Sequence, residues 1–250
     1  MEPAGRSGGF VWGTGRASYR IGTGREPGGT VRAMDPKLIA RYESSDGAAA
    51  YRRKYERSWI RRMSNRRELS IVDKALTRAG ARGRILDCPC GAGRLTPTLL
   101  RHADEVICAD LSQAMVDEAR DALGPLAEEG VVSFLTAPAS DLPLDDGAVD
   151  TAVCHRLIHH MSAAEERAAV LKEMARVAAR RLVISFSDDS TWKAKSQRRR
   201  GVDRRRSALM PEQLFEEAAA HGLTPIGAPL RLNGIHSLVA IAVFDATGSA

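Results

Sequence analysis

Residues 84–95, RILDCPCGAGRL, run from a short apolar segment into an aspartate and then into a loop that contains two glycines. This order is typical of the first strand of a doubly wound α/β sheet, where the turn after the strand approaches a ligand. Gly91 and Gly93 permit a tight turn and leave room beside the backbone. The stretch therefore predicts a ligand site at the carboxyl end of a strand that finishes near Asp87.

Short apolar runs alternate with helical patterns after this stretch. A parallel sheet covered by helices on both faces is the usual result of such alternation. The predicted helices are SQAMVDEARDALG (112–124), SAAEERAAVLKEMARVAA (162–179) and PEQLFEEAAAHGL (211–223), and the further predicted strands are EVICAD (105–110), VVSFLTA (131–137), AVDTAVCH (148–155) and RRLVISF (180–186).

The last two predicted strands, TPIGAPLRL (224–232) and HSLVAIAVF (236–244), are separated only by NGI. Because a parallel return needs a crossover of about a dozen residues, so short a turn forces an antiparallel hairpin. We therefore expect an α/β, Rossmann-like fold with a seven-stranded, mostly parallel sheet, helices on both faces and a C-terminal antiparallel hairpin.

The segment before the first predicted strand differs from the rest of the chain. Residues 1–33 are rich in Gly and Arg and lack the periodicity of a helix or strand, so they are expected to be disordered or a mis-annotated extension before Met34. Residues 34–250 are expected to form one domain. In it, residues 34–80 form a helical cover, with Ser64 or Asn65 capping its last helix, and residues 187–210 form a basic insert that can act as a lid.

The net charge of +6 comes largely from two clusters, residues 51–67 and 193–206, each with eight Lys or Arg. These clusters are either solvated surfaces or a cationic rim that attracts phosphate, carboxylate or anionic lipid headgroups. No apolar run approaches the roughly 18 residues that a membrane span needs. The N-terminus also lacks the pattern of a secretory signal, so we expect a cytoplasmic protein.

The four cysteines lie in or beside apolar segments and include no CxxC pair. We expect them to be small buried hydrophobic residues, and we expect no metal site. They are Cys88, Cys90, Cys108 and Cys154.

The glycine loop distinguishes between two kinds of nucleotide ligand. A dinucleotide-binding loop ends in a small third residue, whereas the run GAGRLT from Gly91 ends in Thr96. The carboxylate of Asp87 would also lie near a pyrophosphate, which it would repel. A nucleoside with a positive centre and no phosphate fits better, and this favours S-adenosylmethionine (SAM). Asp110, 17 residues after Gly93, ends the next strand, where a carboxylate can accept both ribose hydroxyls.

Three segments together resemble the class I SAM-dependent methyltransferases, particularly the small-molecule branch that includes quinone methyltransferases. They are DCPCGAGRL (87–95), ADLSQAM (109–115) and ASDLPLDDGAVDTAVCHRLIHHM (139–161). The resemblance implies transfer of a methyl group from SAM, which leaves S-adenosylhomocysteine (SAH), to an oxygen or carbon of a small molecule.

The resemblance also implies which residues contact the cofactor. Pro89 replaces the first glycine of the family's loop, and Pro138 replaces an acid that often binds adenine, so adenine recognition would pass to Asp141 or to the backbone. The methionine end would be held by Asp87, Cys88, Pro89, Cys90, Gly91, Gly93 and His155, the ribose by Asp110, and the adenine by Leu111, Met115, Ala139, Ser140 and Asp141.

Several residues outside the cofactor loop are predicted to serve the acceptor. His159 or His160 can act as a general base on a phenol or enol, because imidazole titrates near neutral pH. Arg156 can steer an anionic substrate, and Trp192 offers an aromatic surface in the basic insert. Tyr51, Tyr55 and Trp59 would complete the cover, and together these residues favour a flat or lipophilic acceptor with an acidic group.

Three alternatives remain open at this stage. An RNA methyltransferase could use both basic clusters, although no catalytic NPPY or PC motif follows the fourth strand. A non-catalytic SAM-binding regulatory protein would bind the cofactor without turnover. A nicotinamide oxidoreductase fits least, because the loop lacks its fingerprint.

Overall fold

The computed structural model describes residues 59–201, 207–231 and 238–248. The predictions for residues 1–33, for the first part of the cover (34–58, with Tyr51 and Tyr55), for residues 202–206 of the basic insert and for the NGI turn lie outside these residues. The described helices are α1 (Trp59–Ala79), α2 (Thr96–Leu99), α3 (Gln113–Glu128), α4 (Ala164–Val177), α5 (Trp192–Arg199) and α6 (Pro211–Ala219), with a one-turn 3₁₀ helix at Ile158–His160. None of these helices combines the length and the apolar composition that crossing a membrane requires.

Eight strands form one mixed sheet. Its order is β3-β2-β1-β4-β5-β8-β6, and β7 also pairs with β8. Strands β1 to β5 run parallel, whereas β8 is antiparallel to β5, β6 and β7. The strands are β1 (Arg84–Asp87), β2 (Glu105–Asp110), β3 (Val132–Thr136), β4 (Val149–Cys154), β5 (Ala178–Ser187), β6 (Thr224–Pro225), β7 (Leu230–Arg231) and β8 (Val239–Asp245).

The Rossmann-like prediction is confirmed, with a difference of one in the number of strands. The predicted strand TPIGAPLRL is divided into β6 and β7, which have two residues each. Gly227, between them, has a φ of 71°, a conformation that turns the chain and that glycine adopts readily. Pro225 and Pro229 also lack the N–H groups that a continuous ladder needs.

Strand β1 lies at the point where the winding of the sheet reverses, between β2 and β4. Asp87, its last residue, is level with Cys108 of β2 and Val153 of β4. Ligands of open α/β sheets bind outside the carboxyl ends of the strands at such a switch point. The fold therefore brings the loops after β1, β2 and β4 to one crevice.

Alternate residues of the central strands enter two cores, one on each face of the sheet. Ile85 packs in the core that contains α1, and Leu86 packs in the core that contains α4 and α6. All four cysteines are buried and free, which confirms their prediction as small core residues.

Helix α1 is longer than the sequence predicts. It includes Ser64 and Asn65, so neither residue caps it, and the prediction of a cap at these positions is wrong. Asn65 instead accepts a hydrogen bond from Arg94 in the loop after β1. The helix ends before Gly80, whose φ of 57° agrees with its predicted role as the C-terminal stop.

Candidate active site

The loop after β1 has the backbone that its glycines predict. Gly91 and Gly93 have φ values of 54° and 72°, in the left-handed region that favours glycine. A Cβ atom on Gly93 would lie 2.7 Å from Cδ1 of Leu123 on α3, so a side chain there would also have to displace Leu123. The loop is fixed to β2 by the amide of Cys90, which donates to the carbonyl of Ala109 at 2.8 Å.

Asp110, at the end of β2, joins the glycine loop to the start of α3. Its Oδ2 accepts from the amide of Gly91 at 2.9 Å, and its Oδ1 accepts from the amide of Ser112 at 3.0 Å. Burial raises the pKa of Asp110, and these hydrogen bonds act in the opposite direction. Each carboxylate oxygen has a second lone pair, so the same group can also accept ligand hydroxyls.

Asp87, at the end of β1, is completely buried. Its Oδ2 lies 3.5 Å from the hydroxyl of Thr96, whereas its Oδ1 has no hydrogen-bond partner among the described residues. Burial raises the pKa of Asp87 from 3.8 to about 7, although the charge of Arg94 lowers it in part. A buried carboxyl group with an unused oxygen is suited to a cationic ligand, since an ammonium would both neutralise it and donate to it. The residues at this edge therefore fit the amino-acid end of SAM.

His155 and Arg156 follow β4 at the same edge, and both contact an acid that the sequence analysis did not identify. His155 Nε2 lies 2.8 Å from Oε1 of Glu68 on α1, and Arg156 binds both oxygens of that carboxylate. Helix α1 therefore covers the predicted methionine end. The sequence gives little indication of this contact, because nothing in it distinguishes Glu68 from an ordinary surface acid in a helix rich in arginine.

The other residues predicted to contact the cofactor lie on the segments that follow β2 and β3. Leu111 is 42% exposed at the edge of the crevice, whereas Met115 is buried on α3 and donates its amide to the capping hydroxyl of Ser112. Half-buried positions follow β3 at Ala139, Ser140 and Asp141.

The residues predicted to serve the acceptor are on segments after β4 and β5. His159 is buried and His160 is half-buried in the 3₁₀ helix, with ring centroids 4.2 Å apart. The amide of Ser207 donates to the carbonyl of His159, which joins the basic insert to this turn. Trp192 begins α5 and is 64% exposed, more than any other large apolar side chain among the described residues.

The thiols near the loop are unsuited to nucleophilic chemistry. Burial raises the pKa of Cys154 to about 12 and raises that of Cys88 well above its usual value. Both therefore remain protonated and act as core residues. Among the described residues, no group of three or more His, Cys, Asp or Glu is arranged to hold a metal ion.

Comparison with known proteins identifies the family. The model of a methyltransferase domain matches residues 86–183, from β1 into β5. A magnesium-protoporphyrin O-methyltransferase of Synechocystis is 30% identical over 168 residues, which are 63% of this chain and 71% of that protein. The chain belongs to the class I SAM-dependent methyltransferases. SAM is accordingly its methyl donor, and the predicted cofactor and small-molecule branch are confirmed.

A second relative of this methyltransferase agrees with that assignment over a shorter stretch, and a solved structure agrees with the fold. The ubiquinone/menaquinone biosynthesis C-methyltransferase UbiE of Pseudomonas paraeruginosa is 30% identical over 111 residues, 43% of each protein. The crystal structure of the Synechocystis magnesium protoporphyrin IX methyltransferase with bound SAH shares the fold. Its TM-score is 0.67 at 21% identity, over 84% of this chain and 99% of that one.

Proposed function

We propose that this methyltransferase transfers a methyl group to an oxygen of a planar, lipophilic acceptor that carries a carboxylate. Residues 34–250 would form the single catalytic domain, with 34–80 as its cover and 187–210 as its lid. One relative, which aligns over 71% of its own length, is an O-methyltransferase named for magnesium-protoporphyrin. That name supports a large planar acceptor with acidic groups.

The cofactor would bind along the switch point, with its amino-acid end over Asp87 and its ribose at Asp110. When bound, SAM supplies an electrophilic methyl group on a positively charged sulfur. The unused Oδ1 of Asp87 supports its role toward the ammonium group, and the exposed side chain of Leu111 supports a role against adenine. Gly91 and Gly93 would let the backbone approach the cofactor closely.

Helix α5 supports this acceptor most directly, because it combines an exposed aromatic side chain with exposed basic ones. This helix begins five residues after β5 ends, at the same edge of the sheet as Arg156. The exposed Trp192 offers a flat apolar surface, and Lys195, Arg199 and Arg200 are exposed beside it in sequence. An aromatic ring among cations is suited to a flat anion, because the ring contributes apolar contact and the cations attract charge.

The acceptor's own chemistry decides whether a base is needed. A carboxylate with an ordinary pKa near 4 is already ionised at neutral pH and can attack a methyl group without losing a proton. A phenol or enol would need a general base, and the half-buried His160 is better placed than the buried His159 to reach one. For a carboxylate acceptor, the site's contribution is alignment and exclusion of water.

The proposal is tested by incubating the full chain with SAM labelled in its methyl group and with magnesium protoporphyrin IX as the probe. We expect labelled product that releases its label as methanol in alkali, because a methyl ester is hydrolysed there and a C-methyl group is not. The matched control is the same porphyrin with its carboxyl groups already esterified. Transfer to this control, or an alkali-stable product, would contradict carboxylate methylation.

The role of α5 is tested by replacing Lys195, Arg199 and Arg200 together with Gln. We expect the acceptor's KM to rise about tenfold and to lose most of its dependence on salt, because exposed charges act through screened attraction. The charge-matched control replaces the exposed Lys74, Arg82 and Lys172, which lie on other elements, and should leave KM unchanged. Equal effects of the two triple variants would contradict a specific role of α5.

A further inference from the structure

Glu68, a buried acid on α1, contacts three basic side chains around the carboxyl ends of β1 and β4. Its Oε1 lies 2.8 Å from Nε2 of His155 and accepts from Nε of Arg156 at 2.7 Å. Its Oε2 accepts from Nη2 of Arg156 at 3.0 Å and lies 3.5 Å from Nη1 of Arg94. One carboxylate thus connects the glycine loop, the end of β4 and the covering helix.

A second residue of α1 supports the same contact. The Oδ1 of Asn65 accepts from Nη1 of Arg94 at 2.5 Å. Asn65 and Glu68 are three positions apart on a helix and therefore lie on the same face. Helix α1 thus presents an amide and a carboxylate together to the loop that follows β1.

The charges in this cluster compensate one another. Burial by itself would raise the pKa of Glu68, but the hydrogen bond and charge of His155, with the charges of Arg94 and Arg156, lower it well below its usual range. The side chain of Glu68 is only 5% exposed, so water screens these interactions little. Glu68 therefore stays ionised and stabilises two guanidinium groups beside the cofactor crevice.

The backbone and side chain of Arg156 are both held in place by neighbouring residues. It is the one residue other than glycine with a positive φ, 64°, among the described residues. Its amide donates to the hydroxyl of Ser185 on β5 at 2.7 Å, while Glu68 binds its guanidinium through two nitrogens. A left-handed conformation at a side-chain-bearing residue persists only where the surroundings determine it.

We propose that Glu68 is a positioning residue that orients His155, Arg156 and Arg94 toward the amino-acid end of SAM. This role rests on the cofactor site proposed for Asp87 and the glycine loop. The amino-acid end of SAM carries a carboxylate, which guanidinium groups bind in a fixed, planar geometry. Without the carboxylate of Glu68, the side chains of Arg94 and Arg156 would lose the partner that fixes their orientation.

The test is calorimetric titration of the full chain with two probes, SAH and 5′-methylthioadenosine. The second probe keeps the adenine, ribose and sulfur but lacks the amino acid. For Glu68→Gln we expect the affinity for SAH to fall about tenfold, which corresponds to about 1.4 kcal/mol, while that for 5′-methylthioadenosine changes less than about twofold. A general loss of structure would weaken both probes together.

The control is Asp73→Asn, which alters an acid on the same helix that binds Arg101 and His102 away from the crevice. It should bind both probes as the wild type does. Should Glu68→Gln fail to fold, Glu68→Asp keeps the charge on a side chain that is one methylene shorter. We expect it to weaken SAH binding in the same way, without weakening 5′-methylthioadenosine binding. Parallel weakening of both probes, or unchanged SAH affinity, would overturn the positioning role. A wild-type protein that binds neither probe would overturn the cofactor site itself, and this role with it.

Discussion

At Asp87, a carboxyl group is buried at the end of β1 while one of its oxygens lacks a hydrogen-bond partner among the described residues. Burial raises its pKa from 3.8 to about 7. As pH rises from about 4 to 7, the unfolded chain loses this proton and the native protein keeps it. The group therefore lowers the free energy of unfolding across that interval, and above pH 7 its cost is fully present.

The residue-scale prediction is that Asp87→Asn stabilises the ligand-free protein and weakens SAH binding. The pKa of Asp87 rises from 3.8 to about 7, and each factor of ten in an equilibrium constant is about 1.4 kcal/mol. The variant's gain in the free energy of unfolding should therefore be on the order of 4 kcal/mol at pH 8 and should vanish near pH 4. Urea unfolding across this pH range measures it. The exposed Asp117→Asn should change stability by less than about 0.5 kcal/mol. A variant no more stable than the wild type at pH 8 would contradict the claim that burial of the Asp87 carboxylate destabilises the native protein.

Some residues of the site could be predicted from the sequence because strand periodicity decides where they lie. Asp87 and Asp110 each end an apolar run, and Gly91 and Gly93 follow the first run directly. Glu68 could not be predicted in this way. It is 87 positions from His155, and only the packing of α1 across the sheet brings them into contact.

At the scale of elements, long periodic segments were predicted well and segment ends less well. Helices α3 and α4 and strands β1 to β5 lie where alternation of apolar residues predicts them. The C-terminal strands were harder to predict because Pro225, Gly227 and Pro229 divide the predicted strand into β6 and β7, which both pair with β8. The cap predicted at Ser64 or Asn65 is wrong because Ser and Asn occur both at helix caps and inside helices. Which of the two a chain adopts depends on its tertiary contacts.

The element-scale prediction concerns Arg167, which ties α4 to α6 and to the turn that follows the 3₁₀ helix. Its guanidinium binds both oxygens of Glu217 at 2.8 and 2.6 Å and donates to the carbonyls of Met161, Ser162 and Ala163. Its side chain is only 6% exposed. Arg167→Met should lower the free energy of unfolding by about 3 kcal/mol, because it leaves a largely buried acid and three carbonyls without their donor.

Thermal or urea unfolding of the variant measures this effect, with Arg101→Met as the control. Arg101 also pairs with an acid, Asp73, but its side chain is 60% exposed. Its loss should cost less than about 0.5 kcal/mol, since exposed ion pairs contribute little. Similar costs for the two variants would show that burial does not distinguish these ion pairs.

At the scale of the whole molecule, the reversal of winding at β1 places three loops and a covering helix around one crevice. The glycine loop, Asp110 and the end of β4 come from the sheet, whereas Glu68 comes from α1, outside the matched methyltransferase domain at 86–183. The proposed cofactor end thus combines residues inside the matched domain with one residue of a helix that lies outside it. A ligand that binds only the native state will therefore stabilise the molecule as a unit.

The central claim is that the switch-point crevice binds SAM through Asp110 and the glycine loop. Calorimetric titration of SAH into the wild type, Asp110→Ala and the control Asp117→Ala tests it most directly. We predict one site in the wild type and the control, a loss of at least about tenfold in affinity in Asp110→Ala, and stabilisation of the wild type by about 2.7 kcal/mol at 100 times Kd. Equal affinity in all three proteins, or no binding to the wild type, would contradict the claim.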